Sequence, residues 1–216
     1  MLLDEPGDVA ECEALFHREL PHARHVAIGI DATDLVKDDL RPFSDAGFEV
    51  SGGTVLVATA LAEVVAPHGV TVRALTTPDD WRQSVVLSMA TRDEKYEADG
   101  FLVYLRAKSS TQQLLCASGH GAWFGAFVDG ALVCQMGLFD CGEGRARFQT
   151  VETHPAFRRR GLARATLSAL GTYARRALQT EQLVIVADPT YFALDLYRSL
   201  GFEVREQQLQ IQRLPT

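Results

Sequence analysis

The chain has 216 residues, is 47% hydrophobic, and carries a formal net charge of −7 from 21 basic and 28 acidic side chains. That length and apolar content suffice for one generous buried core, and the acidic balance argues against a general nucleic-acid or anionic-membrane binder, so neither partner is expected. Cys12, Cys116, Cys134 and Cys141 lack the short paired spacing of zinc or redox motifs, so no metal and reduced thiols are expected. The acidic start, Met1-Leu-Leu-Asp4-Glu5, is unlike a secretory leader, and the apolar run over residues 55–66 is too short to span a bilayer and contains Glu63. A cytoplasmic protein is expected.

Residues 10–20 read as a short helix ended by Pro21, and residues 25–31, rich in Val and Ile, as a strand. Asp31, a polar helical stretch and Asp45-Ala-Gly47-Phe48-Glu49-Val50 are mirrored downstream by Asp188, a helix and Ser199-Leu-Gly201-Phe202-Glu203-Val204. Gly-Phe-Glu-Val is identical in both, the first copy being three residues longer between its Asp and its Gly, which reads as an internal repeat. A strand-forming segment follows each copy, over residues 54–59 and 208–212. Ala66-Pro67-His68-Gly69 breaks both helix and strand and predicts a boundary between residues 1–66 and 67–216.

Beyond that boundary, residues 70–75 predict a strand, and Thr77 with Pro78 an N-cap and first turn for a helix running toward Met89, with Trp81 in a core or interface. A second helical pattern through Tyr96, Phe101, Leu102 and Leu105 is interrupted at Gly100. Residues 121–128 and 131–139 predict a hairpin on Asp129-Gly130, since Asp-Gly suits a tight two-residue turn. Residues 140–144 then form a loop into a strand over 146–153, which Pro155 ends by removing an amide donor. The next helix starts near Gly161, with Leu162, Thr166, Leu167, Leu170 and Ala174 at core spacing and Arg164, Arg175 and Arg176 outside.

The first amides of such a helix lack carbonyl partners and sit at the positive end of its dipole. Arg158, Arg159 and Arg160 add charge, Gly161 admits a close backbone approach, and Ala163 is small, so residues 158–163 read as a cradle for a diphosphate.

Arg158-x-x-Gly161-x-Ala163, preceded by a strand and Pro155, resembles the acyl-CoA signature (Q/R)xxGx(G/A) of the GNAT N-acetyltransferase superfamily. A second match lies downstream, where Leu183-Val-Ile-Val-Ala-Asp188 and Ala193-x-x-Leu196-Tyr197-x-x-Leu200-Gly201-Phe202 resemble the family's closing strand and "A..LY..lGF" helix. The resemblance covers residues 69–216. It implies an α/β (α+β) GNAT fold, a mixed, mostly antiparallel sheet flanked by helices, preceded here by a partial β-α-β repeat. It further implies acetyl-CoA as co-substrate, held by the backbone around Val151, Glu152 and Thr153, by Arg158, Arg159, Arg160, Gly161, Leu162, Ala163 and Arg164, and by Thr190. Thr153 stands where the family commonly has an aliphatic residue and Thr190 where asparagine is frequent.

The implied reaction moves an acetyl or short acyl group to an amine. Tyr197, four residues before Gly201, is the candidate to protonate the departing sulfur; its counterpart in the first copy is Phe43, so that copy is expected to be inert. Glu152 is the candidate base, ahead of His154, Glu143, Asp140 and His120, and strand alternation sets it on the face opposite Thr153. Residues 80–110 are expected to shape the acceptor pocket. The sequence does not identify the acceptor, and a homodimer remains open. The alternative is a non-catalytic acyl-CoA-binding or sensing protein. An NAD-binding domain is disfavoured, because no GxGxxG turn follows an early strand.

Overall fold

A computed structural model of the protein describes residues 1–188 and 193–215. In chain order the elements are strand β1 (Leu2–Leu3), helix α1 (Val9–Glu19), β2 (Val26–Ile30), a 3-10 turn (Lys37–Leu40) leading into α2 (Arg41–Asp45), β3 (Glu49–Ala58) and β4 (Val70–Ala74). There follow α3 (Pro78–Ala90), α4 (Ala98–Ala117), β5 (Gly121–Val128), β6 (Ala131–Gly142), β7 (Arg145–Thr153), α5 (Leu162–Ala177), β8 (Gln182–Ala187), α6 (Ala193–Arg198) and β9 (Glu203–Arg213). The class is mixed α/β, with sheet flanked by helices.

These elements form two compact units. One takes the described residues of Met1–Leu56, Val186–Leu194 and Val204–Thr216; the other takes Val57–Ile185 and Asp195–Glu203. In the first, the strands run in the order β1-β2-β9-β3, and β2 pairs antiparallel with β9, Val26 opposite Arg213 and Ile30 opposite Leu209. The last strand of the chain thus lies between two strands from its beginning. Helix α1, capped by the Asp8 side chain on the Ala10 amide, buries Cys12 and Phe16, one turn apart, in a core with Ile28, Ile30, Phe43, Phe48 and Ile211.

The shared Gly-Phe word ends both of its helices in the same way. Gly47 at φ 84° and Gly201 at φ 105° take the left-handed conformation that a helix C-terminus favours in glycine. The Phe48 amide then donates to the Phe43 carbonyl at 2.9 Å, as the Phe202 amide does to the Tyr197 carbonyl at 3.2 Å. Phe43 and Phe48 meet edge to face at 5.9 Å, Tyr197 and Phe202 at 6.0 Å. This likeness concerns two helix ends and does not by itself make two domains.

In the second unit the order is β8-β7-β6-β5-β4, antiparallel except for the parallel pair β7 and β8. Adjacent residues of β6 point to opposite faces: Gln135 meets Ser84 and Ser88 of α3, and Cys134 meets Thr153 and Thr166 of α5. Helix α3 therefore covers one face of the sheet and α5 the other. Leu75, Trp81, Leu87, Trp123, Phe127 and Leu132 make the core on the α3 side. The start of α3 is doubly secured, because Thr77 and Asp80 form a reciprocal capping box and Asp80 also accepts both terminal nitrogens of Arg73, at 2.8 and 2.7 Å.

Two local expectations are corrected. Gly100 does not interrupt the second helix: α4 is continuous, and Gly100 lies in its first turn, where its amide donates to the Glu97 side chain at 2.6 Å. The anticipated loop over residues 140–144 is shorter, because β6 runs on to Gly142 and the chain reverses at Glu143 and Gly144, with φ of 52° and 69°. Asp129 and Gly130 turn the preceding hairpin in the same left-handed way, at 49° and 81°.

Candidate active site

The site is built on β7, whose two edges behave differently. Toward β6 it is paired almost throughout, with Gln135 opposite Glu152 and Cys134 opposite Thr153. Toward β8, among the described residues, the parallel ladder has only three rungs and ends with Arg147 opposite Val184. From Phe148 onward no further rung joins β7 to β8 among the described residues, which leaves that edge to an extended ligand. The register against β6 also slips: Gln149 faces Gly137 while Glu152 faces Gln135, leaving Thr150 and Val151 opposite a single residue. Thr150 takes φ 53°, a conformation unfavourable for a β-branched side chain, and this bulge re-aims the last residues of the strand.

Beyond Thr153, a 3-10 turn (Pro155–Phe157) is capped by His154, whose Nδ1 accepts from the Ala156 amide at 3.2 Å. His154 is thereby a turn residue. The predicted cradle follows. Arg159 at φ 62° and Gly161 at φ 77° are left-handed, α5 begins at Leu162, and its first internal bond runs from the Ala165 amide to the Gly161 carbonyl. Among the described residues the amides of 159–164 have no acceptor within the chain, so six consecutive donors stand at a helix start. Arg158 Nε donates to the Thr153 carbonyl at 3.2 Å, which closes the turn, and Arg160 donates to the Ala156 carbonyl and stacks on Phe157. Arg158, Arg159, Arg160 and Arg164 are exposed, Leu162 is buried and Ala163 is half-buried. A diphosphate fits this donor set: it is an acceptor for the amides and a counter-charge for the arginines.

On the α3 face lies a polar network that sequence reasoning missed. Gln135 is fully buried; its Oε1 accepts from Trp123 Nε1 at 3.0 Å. An indole N–H only donates, so this contact fixes which end of the amide is oxygen. The nitrogen then donates toward Glu152 Oε2 at 2.8 Å, Ser88 Oγ at 3.0 Å and the Ser84 carbonyl at 3.1 Å, while Ser88 Oγ donates to Glu152 Oε2 at 2.7 Å. One carboxylate oxygen of Glu152 is thus held by two donors. The other, Oε1, makes no hydrogen bond among the described residues. Thr153 faces the other way, its hydroxyl on Cys134 Sγ at 3.3 Å, and burial pushes that thiol up to about 11.

Beside this network, α3, α4 and β7 line an open cleft, with Ser84, Ser88, Lys108, Gln112, Trp123 and Thr150 among its residues. Lys108 Nζ donates to Thr150 Oγ1 at 3.3 Å. The signals for these residues were faint: Gln135 is a lone amide in an apolar strand, Ser84 and Ser88 are one turn apart beside Trp81, and nothing marks Thr150. Tyr197 is buried, its ring on Phe202, which in turn meets Phe148 of β7 edge to face at 6.0 Å. Thr190 lies outside the described residues.

Sheet order, splayed strand pair and donor-rich turn together define an acyltransferase-type fold. A family model described as acetyltransferase (GNAT) family matches residues 88–202, more than half of the chain, and the chain belongs to that family. No curated protein matches it. Among solved structures it is similar to a functionally unknown conserved protein from Staphylococcus epidermidis, at 14% identity and TM-score 0.73, covering 100% of this chain and 84% of that one. It is also similar to a GCN5-related N-acetyltransferase from Kribbella flavida, at 16% identity and TM-score 0.62, covering 93% and 71%. A third is the paia N-acetyltransferase from Thermoplasma acidophilum in complex with coenzyme A, at 14% identity and TM-score 0.54, covering 65% and 97%. At these identities the likeness is one of fold. Among the described residues no helix is long and apolar enough to cross a membrane.

Proposed function

We propose that this protein is an acetyl-CoA-dependent N-acyltransferase, moving an acetyl or short acyl group to an amine by direct attack. The observation that carries this reading is the run of unpaired amides at residues 159–164 beside the unpaired edge of β7. In this reading the amides and arginines hold the CoA diphosphate, the backbone of Val151 to Thr153 pairs with the pantetheine arm, and the thioester lies near Glu152.

An ammonium has no lone pair, so the acceptor must lose a proton before its nitrogen can attack. Glu152 suits that task, because its Oε2 is pinned by Ser88 and Gln135 while Oε1 is left to take the proton. The amine nitrogen forms the C–N bond at the thioester carbonyl, the C–S bond breaks with its electron pair going to sulfur, and the nitrogen sheds its remaining excess proton. Sulfur leaves as thiolate and is protonated, a role given to the Tyr197 hydroxyl. The balance is amide plus CoA thiol plus one proton released. Residues 1–66 are read as a partial repeat without this chemistry, since Phe43 has no hydroxyl.

The test is calorimetric titration with acetyl-CoA, CoA and NAD, repeated on Arg158→Ala and Gly161→Asp, followed by mass-spectrometric detection of acylated amines. Acetyl-CoA and CoA binding that both variants weaken at least tenfold, with turnover in the parent protein, is the expected result. Binding without turnover of any amine would replace the enzyme by a CoA sensor. No binding by the folded protein would refute the cradle.

A further inference from the structure

We infer that the acceptor is a zwitterion of the amino-acid type, an amine whose own carboxylate is set against Lys108. This rests on the acyl-transfer reading above and adds the substrate class. The argument starts from the cleft between α3, α4 and β7. Leu105, Lys108, Ser109 and Gln112 line it from α4 at helical spacing, with Ser84 and Ser88 facing them from α3. Among all its lining residues, Lys108 alone is ionised.

Lys108 is half-buried; its Nζ donates to Thr150 Oγ1 and lies 5.7 Å from the Tyr104 ring centroid, and among the described residues it pairs with no carboxylate. In a chain of net charge −7, where 28 acidic side chains are available, a cleft lysine without one is unusual. An ammonium has three hydrogens, so two are left for a ligand, and a cation drawn off solvent is stabilised when a substrate brings the counter-charge. Gln112, one turn along, has no side-chain partner among the described residues and can donate to the same anion.

The opposite charge stands one hydrogen bond behind the lining: Ser88 lines the cleft and donates to Glu152 Oε2, while Glu152 Oε1 makes no hydrogen bond among the described residues. Thr150 and Glu152 stand two residues apart on β7, about 7 Å on a regular strand, and the bulge shortens that. A molecule whose ammonium and carboxylate are separated by one or two carbons can set its ammonium at Glu152 and its carboxylate toward Lys108, which donates to Thr150 on the same strand. An amine lacking the carboxylate leaves Lys108 without a counter-charge, and a dicationic one is repelled by it.

The experiment compares the α-amino acids with their α-carboxamides as acceptors at saturating acetyl-CoA, in the parent protein, Lys108→Met and Lys108→Arg. The parent is expected to favour at least one amino acid over its amide by tenfold or more in kcat/KM, although the amide has the more readily deprotonated amine. Lys108→Met should collapse that ratio at least tenfold through KM, and Lys108→Arg should restore most of it. Acetyl-CoA affinity, measured calorimetrically, serves as the folding control. If the protein binds acetyl-CoA and acylates amides or simple amines as well as amino acids, or if Lys108→Met lowers both series equally, the zwitterion inference is wrong and the acyl-transfer reading stands. Acetyl-CoA that neither binds nor is consumed overturns both.

Discussion

The buried amide of Gln135 offers the most demanding test of the site's architecture. Gln135→Met keeps the side-chain length and removes every polar contact. Trp123 Nε1, on a residue only 1% exposed, loses its one acceptor among the described residues, and leaving such a donor unmet costs about 1–3 kcal/mol. Glu152 loses one of two donors to its held oxygen, a charge-assisted bond worth about 1.5–3 kcal/mol. The Ser84 carbonyl loses little, since it lies within α3. Burying a thioether in place of an amide returns part of this, of order 1 kcal/mol. A net loss of about 2–4 kcal/mol follows, or roughly 5–15 °C in Tm for a chain of this size. Both tryptophans, Trp81 and Trp123, lie in this unit with ring centroids 6.2 Å apart, so tryptophan fluorescence in urea reports on the unit that holds the site. A loss below 1 kcal/mol at unchanged m-value would refute the network as a stabilising element and show that its groups find other partners.

The remaining predictions concern single groups. Glu152→Gln should lower kcat by about 10²–10⁴, the usual worth of a positioned base, with acetyl-CoA affinity retained; a fall under tenfold would shift the base role elsewhere. Arg73 and the Thr76 and Thr77 amides hold the Asp80 carboxyl well below the usual range, so its folded value is depressed and its contribution is full above the unfolded value near 4 and fades as pH falls. Asp80→Asn should therefore cost about 2 kcal/mol at pH 7, with the gap closing below about pH 4; a pH-independent gap in urea melts would contradict the assignment. Burial pushes the Cys116 and Cys134 thiols up to about 11, whereas Cys141 is exposed, so iodoacetamide at pH 8 should label Cys141 first and Cys134 last by peptide mapping. Early modification of Cys134 in the folded protein would show that β6 is less enclosed than described.

How much of this was legible beforehand depends on the range over which each feature is specified. Helix α3 was readable at its start because Thr77, Pro78 and Asp80 act on one another within four residues, and the β5–β6 hairpin because Asp129-Gly130 needs only its own left-handed backbone. The cradle was readable for the same reason: a strand, a proline, three arginines and a glycine follow one another without a break, and helix-start amides lack acceptors wherever a helix begins. Gly100 misled because a helix breaker in mid-pattern looks the same as a glycine in a first turn until Glu97 is seen to cap it.

What the linear order determined by itself, then, is the family, the succession of elements and the donor-rich turn, each encoded by residues adjacent in the chain. What only the tertiary structure decided is the partner of each side chain across it. Nothing near Glu152 in the chain marks its partners, and only the fold brings Gln135, opposite it on β6, and Ser88, 64 residues earlier, onto the same oxygen. Lys108 was one lysine in a helical pattern until Thr150, 42 residues later, turned toward it at a bulge that no local propensity predicts. Contacts of that separation depend on how the sheet and its covering helices pack, and packing is a property of the whole fold rather than of any stretch of it.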